Sequence, residues 1–202
     1  PAAAGEHPGG DATHVVEVSF RGSANSSNWV TNLTVDLVPL LVGARRGKVH
    51  RGFQQAYLAL RGEILQQVAD GLAALPAERE GRRVVAYASG HSMGGALALL
   101  AAHDFAVSFG YEAACLTWGC PRVGDADFAA ACRESVPRLV RFINKFDPVP
   151  RLPSNAFDPH ADDAPSARLA RLTQVLSSRH KAAGADGYCH ASRGIRLDPE
   201  AC

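Results

Sequence analysis

Apolar positions along the chain change period several times, and each change marks an element. His14-Val15-Val16-Glu17-Val18-Ser19-Phe20 reads as a strand and stops abruptly at Arg21-Gly22-Ser23. Val35 to Val42 is apolar but carries Pro39, which cannot donate to a ladder, so it predicts an edge strand or extended segment. Phe53, Tyr57, Leu60, Ile64, Val68, Leu72 and Leu75 recur at three and four residues, predicting an amphipathic helix stopped by Pro76. A β-branched run from Arg83 to Ser89 predicts a strand, and an alanine- and leucine-rich stretch from Ala96 to Phe109 predicts a helix closed by Gly110. Ala113 to Trp118 and Leu139 to Asn144 read as strands, and between them Asp125 can cap a short helix through Arg133. Ser166 to Ala183 supports one more amphipathic helix through Leu169, Leu172, Val175 and Leu176, and Tyr188 to Leu197 reads as an edge strand. Strand and helix alternate three times, so the expected architecture is α/β, a mostly parallel central sheet with helices on both faces.

Composition narrows the class. The 202 residues fit one domain, residues 13–202, preceded by a Pro-, Gly- and Ala-rich mobile arm over residues 1–12. A net charge of +1 with acids and bases interspersed leaves no electrostatic footprint for nucleic acid or an anionic membrane. No apolar run approaches a transmembrane span, and Pro1 to Gly10 lacks the charged and apolar regions of a targeting segment. The five cysteines are odd in number and show no metal-ligand spacing, so buried thiols and disulfides both stay open, and with them the compartment. Neither a metal nor an organic cofactor is implied.

The candidate chemistry lies where the run from Arg83 breaks into Gly90-His91-Ser92-Met93-Gly94-Gly95. A strand, a tight glycine-flanked turn around serine, and a helix are what a nucleophile elbow requires, because strand and helix backbones approach too closely there for a β-carbon on either side. Ser92 is the candidate nucleophile. Downstream, Lys145 to Pro153 holds three prolines in six positions, and Pro148 pushes Asp147 out of the helical region. An acid held stiffly just past a strand end suits a catalytic site. Ser92 before Asp147 also follows the chain order of α/β-hydrolases, nucleophile, then acid, then histidine.

With these motifs in place the sequence resembles the class 3 lipase family, α/β-hydrolases that include fungal triacylglycerol lipases and plant acyl-lipid hydrolases. The likeness runs from Phe20 to about Leu197. Phe20-Arg21-Gly22-Ser23 resembles the strand end that carries the oxyanion residue, and Asn28-Trp29-Val30 the segment beside the lid. Val49-His50-Arg51-Gly52-Phe53 resembles the opening of the first long helix, Gly119 to Asp125 a family turn, and Asp147-Pro148-Val149-Pro150 the acid loop. The resemblance implies hydrolysis of acyl-lipid esters, with a transient contact at a lipid interface and an oxyanion hole made by the backbone amides of Ser23 and Met93. Asn32 stands where many relatives place an aspartate.

A serine hydrolase also needs a base, and the chain holds eight histidines. His91 sits inside the elbow and His50 inside a helix entry, so neither swings easily to Ser92; His14, His103 and His180 have structural readings. His190 is the last histidine and follows Asp147, which makes it the candidate base, with His160 second. The segment around His190 nonetheless resembles a family strand whose histidine is not the base. In relatives the base comes later, before a terminal helix, and this chain stops first, so a histidine beyond a C-terminal truncation is the other alternative. A catalytically impaired or lipid-binding pseudo-hydrolase is the competing functional reading.

Overall fold

In a computed structural model the described residues are 14–22, 36–74, 83–153, 187–192 and 194–197. In chain order they form strands β1 (His14–Phe20), β2 (Leu37–Pro39) and β3 (Lys48–His50), helix α1 (Arg51–Ala73), strand β4 (Val84–His91), helix α2 (Met93–Phe109), strand β5 (Glu112–Trp118), helix α3 (Ala126–Ser135), and strands β6 (Arg138–Asn144) and β7 (Gly194–Leu197). Five strands make one parallel sheet in the order β1-β4-β5-β6-β7, and β2 pairs antiparallel with β3. The α/β-hydrolase expectation of a parallel central sheet flanked by helices is met.

Register explains why the core is built of small residues. Phe20, Gly90, Thr117 and Arg141 stand at one level across β1, β4, β5 and β6. Two residues earlier on the inner strands, Ala88 faces Cys115, and α2 lies against this side with Ala96, Ala98, Ala101 and Ala102 fully buried. Methyl-sized side chains let helix and sheet approach closely, and α2 is apolar nearly all round because α1 and α3 pack onto it in turn.

The α1–α2 contact is pinned by a buried carboxylate. Asp104 on α2 accepts hydrogen bonds from Tyr57 Oη at 2.7 Å, Arg61 Nε at 2.6 Å and Ser108 Oγ at 2.6 Å. Burial by itself would raise the Asp104 carboxyl, but the bonds from Arg61, Ser108 and Tyr57 outweigh it and hold the group below the usual carboxylate value.

The predicted elements reappear with ends shifted by a few residues. Two expected edge strands are much shorter than the runs that predicted them. The apolar run over 35–42 contributes only a three-residue strand, with Pro39 opposite Lys48 at the end of the β2–β3 pair nearest their connecting loop. Of the stretch 188–197 only Gly194 to Leu197 is strand; before it, Cys189 makes a single bridge to Gly124. The expected arm over 1–12 and the helix over 166–183 lie outside the described residues.

Candidate active site

The carboxyl ends of the parallel strands meet at one edge, where crevice ligands of open α/β sheets bind. Ser92 follows β4 directly and caps α2 with φ +55° and ψ −125°, a left-handed conformation that costs a serine about 1–3 kcal/mol. The surroundings hold it there: Ser92 N–H donates to the Trp118 carbonyl at 2.9 Å, and the Ser92 carbonyl accepts from Gly95 N–H at 3.0 Å. A β-carbon on Gly90 would run into the Gly94 carbonyl, and one on Gly94 into the Phe20 carbonyl. The Ser92 side chain makes no capping bond to the helix, so its hydroxyl is not spent on the N-terminus it stands beside.

Met93 is the first residue of α2, where an amide has no partner within its own helix and the dipole favours negative charge. Of the other expected oxyanion donor, Ser23, nothing is described, but Gly22 just before it reaches the elbow: a β-carbon there would lie 2.9 Å from the His91 carbonyl oxygen and 3.2 Å from His91 Nδ1.

Asp147 reaches the same edge from β6. Its Oδ1 accepts the Val149 N–H at 2.9 Å and its own N–H donates to the Asn144 carbonyl at 3.1 Å. Its Oδ2 points over Gly119, which has φ +56° at the end of β5. A β-carbon on Gly119 would meet Oδ2 at 2.5 Å and His91 Nε2 at 3.5 Å. Ser92, the Met93 amide and Asp147 thus share one edge, with the exposed His91 ring spanning from Gly22 to Gly119.

His190 is placed differently. Its Nε2 lies 2.6 Å from the Pro150 carbonyl oxygen and 3.0 Å from Arg141 Nη2. A carbonyl at that distance needs a hydrogen on the nitrogen, so the geometry assigns the proton to Nε2 and leaves no lone pair there to accept another. Arg141 Nη2 then stands beside the ring, while Nη1 donates to the Ser192 carbonyl at 2.7 Å.

Two more of the described histidines have structural partners. His50 caps α1, its Nδ1 accepting from Phe53 N–H at 3.3 Å. His103 is buried with Nδ1 2.8 Å from Ser135 Oγ; burial lowers its pKa, against the opposing pull of Asp104. His7, His160 and His180 lie outside the described residues.

Cys115, Cys120, Cys132 and Cys189 are free thiols, and burial pushes Cys120 up to about 12, which keeps it an unreactive thiol at neutral pH. Among the described residues no group of three or more His, Cys, Asp or Glu could hold a metal ion, and no helix is long and apolar enough to cross a membrane.

Two residues to which no motif gave a role matter here, Arg122 within the Gly119 to Asp125 turn and Arg141. Arg141 occupies the inward phase of β6, between Leu139 and Ile143, and is 4% exposed. A charge in the apolar phase of a strand was the signal that could have found it.

The family model described as lipase (class 3) matches residues 17–157. The chain is 35% identical over 153 residues to a lipase of Rhizomucor miehei, covering 73% of this chain and 40% of that protein. The solved triacylglyceride lipase of the same organism superposes with a TM-score of 0.59 at 34% identity, covering 71% of this chain and 53% of the solved one. A secreted mono- and diacylglycerol lipase of Fusarium solani is 37% identical over 152 residues, 73% of this chain and 42% of its own length. A phospholipase A1 of Oryza sativa subsp. indica is 34% identical over 157 residues, 68% of this chain and 36% of its own. The chain thus spans about two fifths of the length of the curated relatives it matches.

Proposed function

The chain belongs to the class 3 lipase family, and from that premise we propose that it hydrolyses carboxylic esters of acyl lipids through an acyl-enzyme on Ser92. The observation that carries the reading is the strained Ser92 conformation between Gly90 and Gly94, neither of which has room for a β-carbon. Such strain persists only where the surroundings enforce it, and here it sets a serine at the amino end of a buried helix.

In this reading Ser92 Oγ attacks the acyl carbonyl as a base takes the hydroxyl proton. The oxygen that becomes negative is met by the amides of Met93 and Ser23, the alcohol leaves with the proton, and water repeats the sequence on the acyl-enzyme. Asp147 orients and stabilises the protonated base. The protonated Nε2 of His190, turned to Pro150, argues against His190 in that role, so the base is sought among histidines outside the described residues, His160 in this sequence or one further along a longer polypeptide. The relatives, named a lipase, a mono- and diacylglycerol lipase and a phospholipase A1, share acyl-lipid esters as substrates and support that class over small soluble esters. Contact with a lipid interface follows from such a substrate.

The engagement of His190 also favours a second reading, a lipase-like domain that binds acyl chains without turning them over. p-Nitrophenyl butyrate turnover by the purified protein separates the two. Hydrolysis that disappears in Ser92→Ala supports the ester hydrolase; a folded protein that binds a fluorescent fatty acid but releases no nitrophenol supports the second.

A further inference from the structure

Lys145 to Pro153 is poor in internal hydrogen bonds for a chemical reason. Pro148, Pro150 and Pro153 have no N–H to donate. Its internal bonds are Val149 N–H to Asp147 Oδ1 at 2.9 Å, Arg151 N–H to the Pro148 carbonyl at 3.0 Å and Leu152 N–H to the Val149 carbonyl at 3.0 Å. The carbonyls that follow must find donors elsewhere.

They do so one after another. The Pro150 carbonyl accepts from His190 Nε2 at 2.6 Å. Arg122 Nη1 donates to the Arg151 and Pro153 carbonyls at 2.7 and 2.9 Å, and Arg122 N–H to the Leu152 carbonyl at 2.7 Å. Four successive carbonyls are thus held by two residues from other parts of the chain. His190 is itself anchored on both sides, because Cys189 N–H donates to the Gly124 carbonyl at 2.7 Å and Arg141 Nη1 to the Ser192 carbonyl at 2.7 Å. Arg141 stands on β6, the strand that leads into the loop, so the clamp closes on itself from β6 to Ser192, His190, Pro150 and back to Asp147.

We propose that His190 is a positioning residue, not a base: with Arg122 and Arg141 it clamps the acid loop and sets Asp147 against the end of β5. The proposal rests on the reading of Asp147 as the triad acid. A displacement of about 1 Å in a catalytic group can cost about 10²-fold in rate, so loosening the loop should lower turnover without touching substrate contacts.

His190→Ala and His190→Gln test it on the same protein, since glutamine keeps an N–H donor at similar reach and cannot act as a general base. For His190→Ala we expect kcat on p-nitrophenyl butyrate to fall by about 30- to 100-fold with KM changed by less than about twofold. His190→Gln should recover to within about threefold of the parent. Amide hydrogen exchange at Val149 and Leu152 should quicken in the alanine variant and return toward the parent rate in the glutamine variant. Complete loss of turnover in both variants with unchanged exchange overturns the proposal and makes His190 a proton carrier; parental kcat and exchange in both overturn it as well. A parent protein without turnover defeats the hydrolase reading instead, and the exchange rates then decide the clamp alone. If His190→Ala does not fold, Arg122→Gln, which releases the Arg151 and Pro153 carbonyls, takes its place with the same exchange readout.

Discussion

Ser92 and Asp147 stand at the same edge of the sheet and are held there by opposite means. Around Ser92 nearly everything is local backbone: glycines two residues either side, a bond to Gly95, and one from the neighbouring strand at Trp118. Around Asp147 the loop's own bonds are few, and its carbonyls are taken up by Arg122, some 30 residues earlier, and His190, about 40 later. A nucleophile that must occupy a strained conformation is fixed by excluding alternatives at close range. An acid that must be set at a chosen separation is fixed by struts, which can be lengthened or lost one at a time.

That contrast is broken most severely at Asp147 itself. Asp147→Asn should lower kcat by about 10⁴-fold, equivalent to about 5 kcal/mol of barrier, with little change in thermal stability. Gly94→Ala attacks the other side: its β-carbon meets the Phe20 carbonyl, so chemical denaturation should show a loss of about 3 kcal/mol or more, or no soluble protein. Asp104→Asn lies away from both and serves as the control. It should cost about 3 kcal/mol by weakening the buried Arg61 pair, while the kcat of the folded fraction stays near the parent value. Because the Asp104 carboxyl sits below its ordinary value of 3.8, its stabilisation is complete above about pH 4 and is lost as the pH falls through the folded value. Ser92→Gly should raise the unfolding free energy by about 1 kcal/mol while abolishing turnover, since glycine accepts the positive φ without strain. The smallest effect belongs to His103, whose lowered pKa makes stability fall as the pH drops below its ordinary value of 6.5. His103→Asn should flatten that slope, which cannot exceed about 1.4 kcal/mol per pH unit for a single proton.

The same contrast sets how much could be read without coordinates. The elbow is legible because its determinants are contiguous: a β-branched strand, glycines where backbones cross, then an alanine-rich helix. Apart from the three-residue β3, which no periodicity announced, the strands and helices between His14 and Asn144 follow from periodicity for the same reason. Asp147 is legible as an acid in a stiff loop, since Pro148 restricts the residue before it. What holds that loop is not, because Arg122, Arg141 and His190 approach it only through tertiary structure, and no spacing along the chain relates a guanidinium to a carbonyl 30 residues away. His190 could be ranked by chain order, but its tautomer depends on the Pro150 carbonyl, a backbone atom that carries no sequence signature. Asp104 was missed for a related reason: an aspartate well inside an apolar helix is intelligible only when Tyr57 and Arg61 arrive from another helix.

That Ser92 is a nucleophile presented by the elbow is tested most directly by covalent trapping. The protein is incubated with a fluorophosphonate and digested, and the modified peptide is sequenced by mass spectrometry. A nucleophilic Ser92 gives a single phosphonyl adduct on that residue, absent from Ser92→Ala. A folded protein left unlabelled, or labelled at another residue while Ser92 stays unmodified, contradicts it.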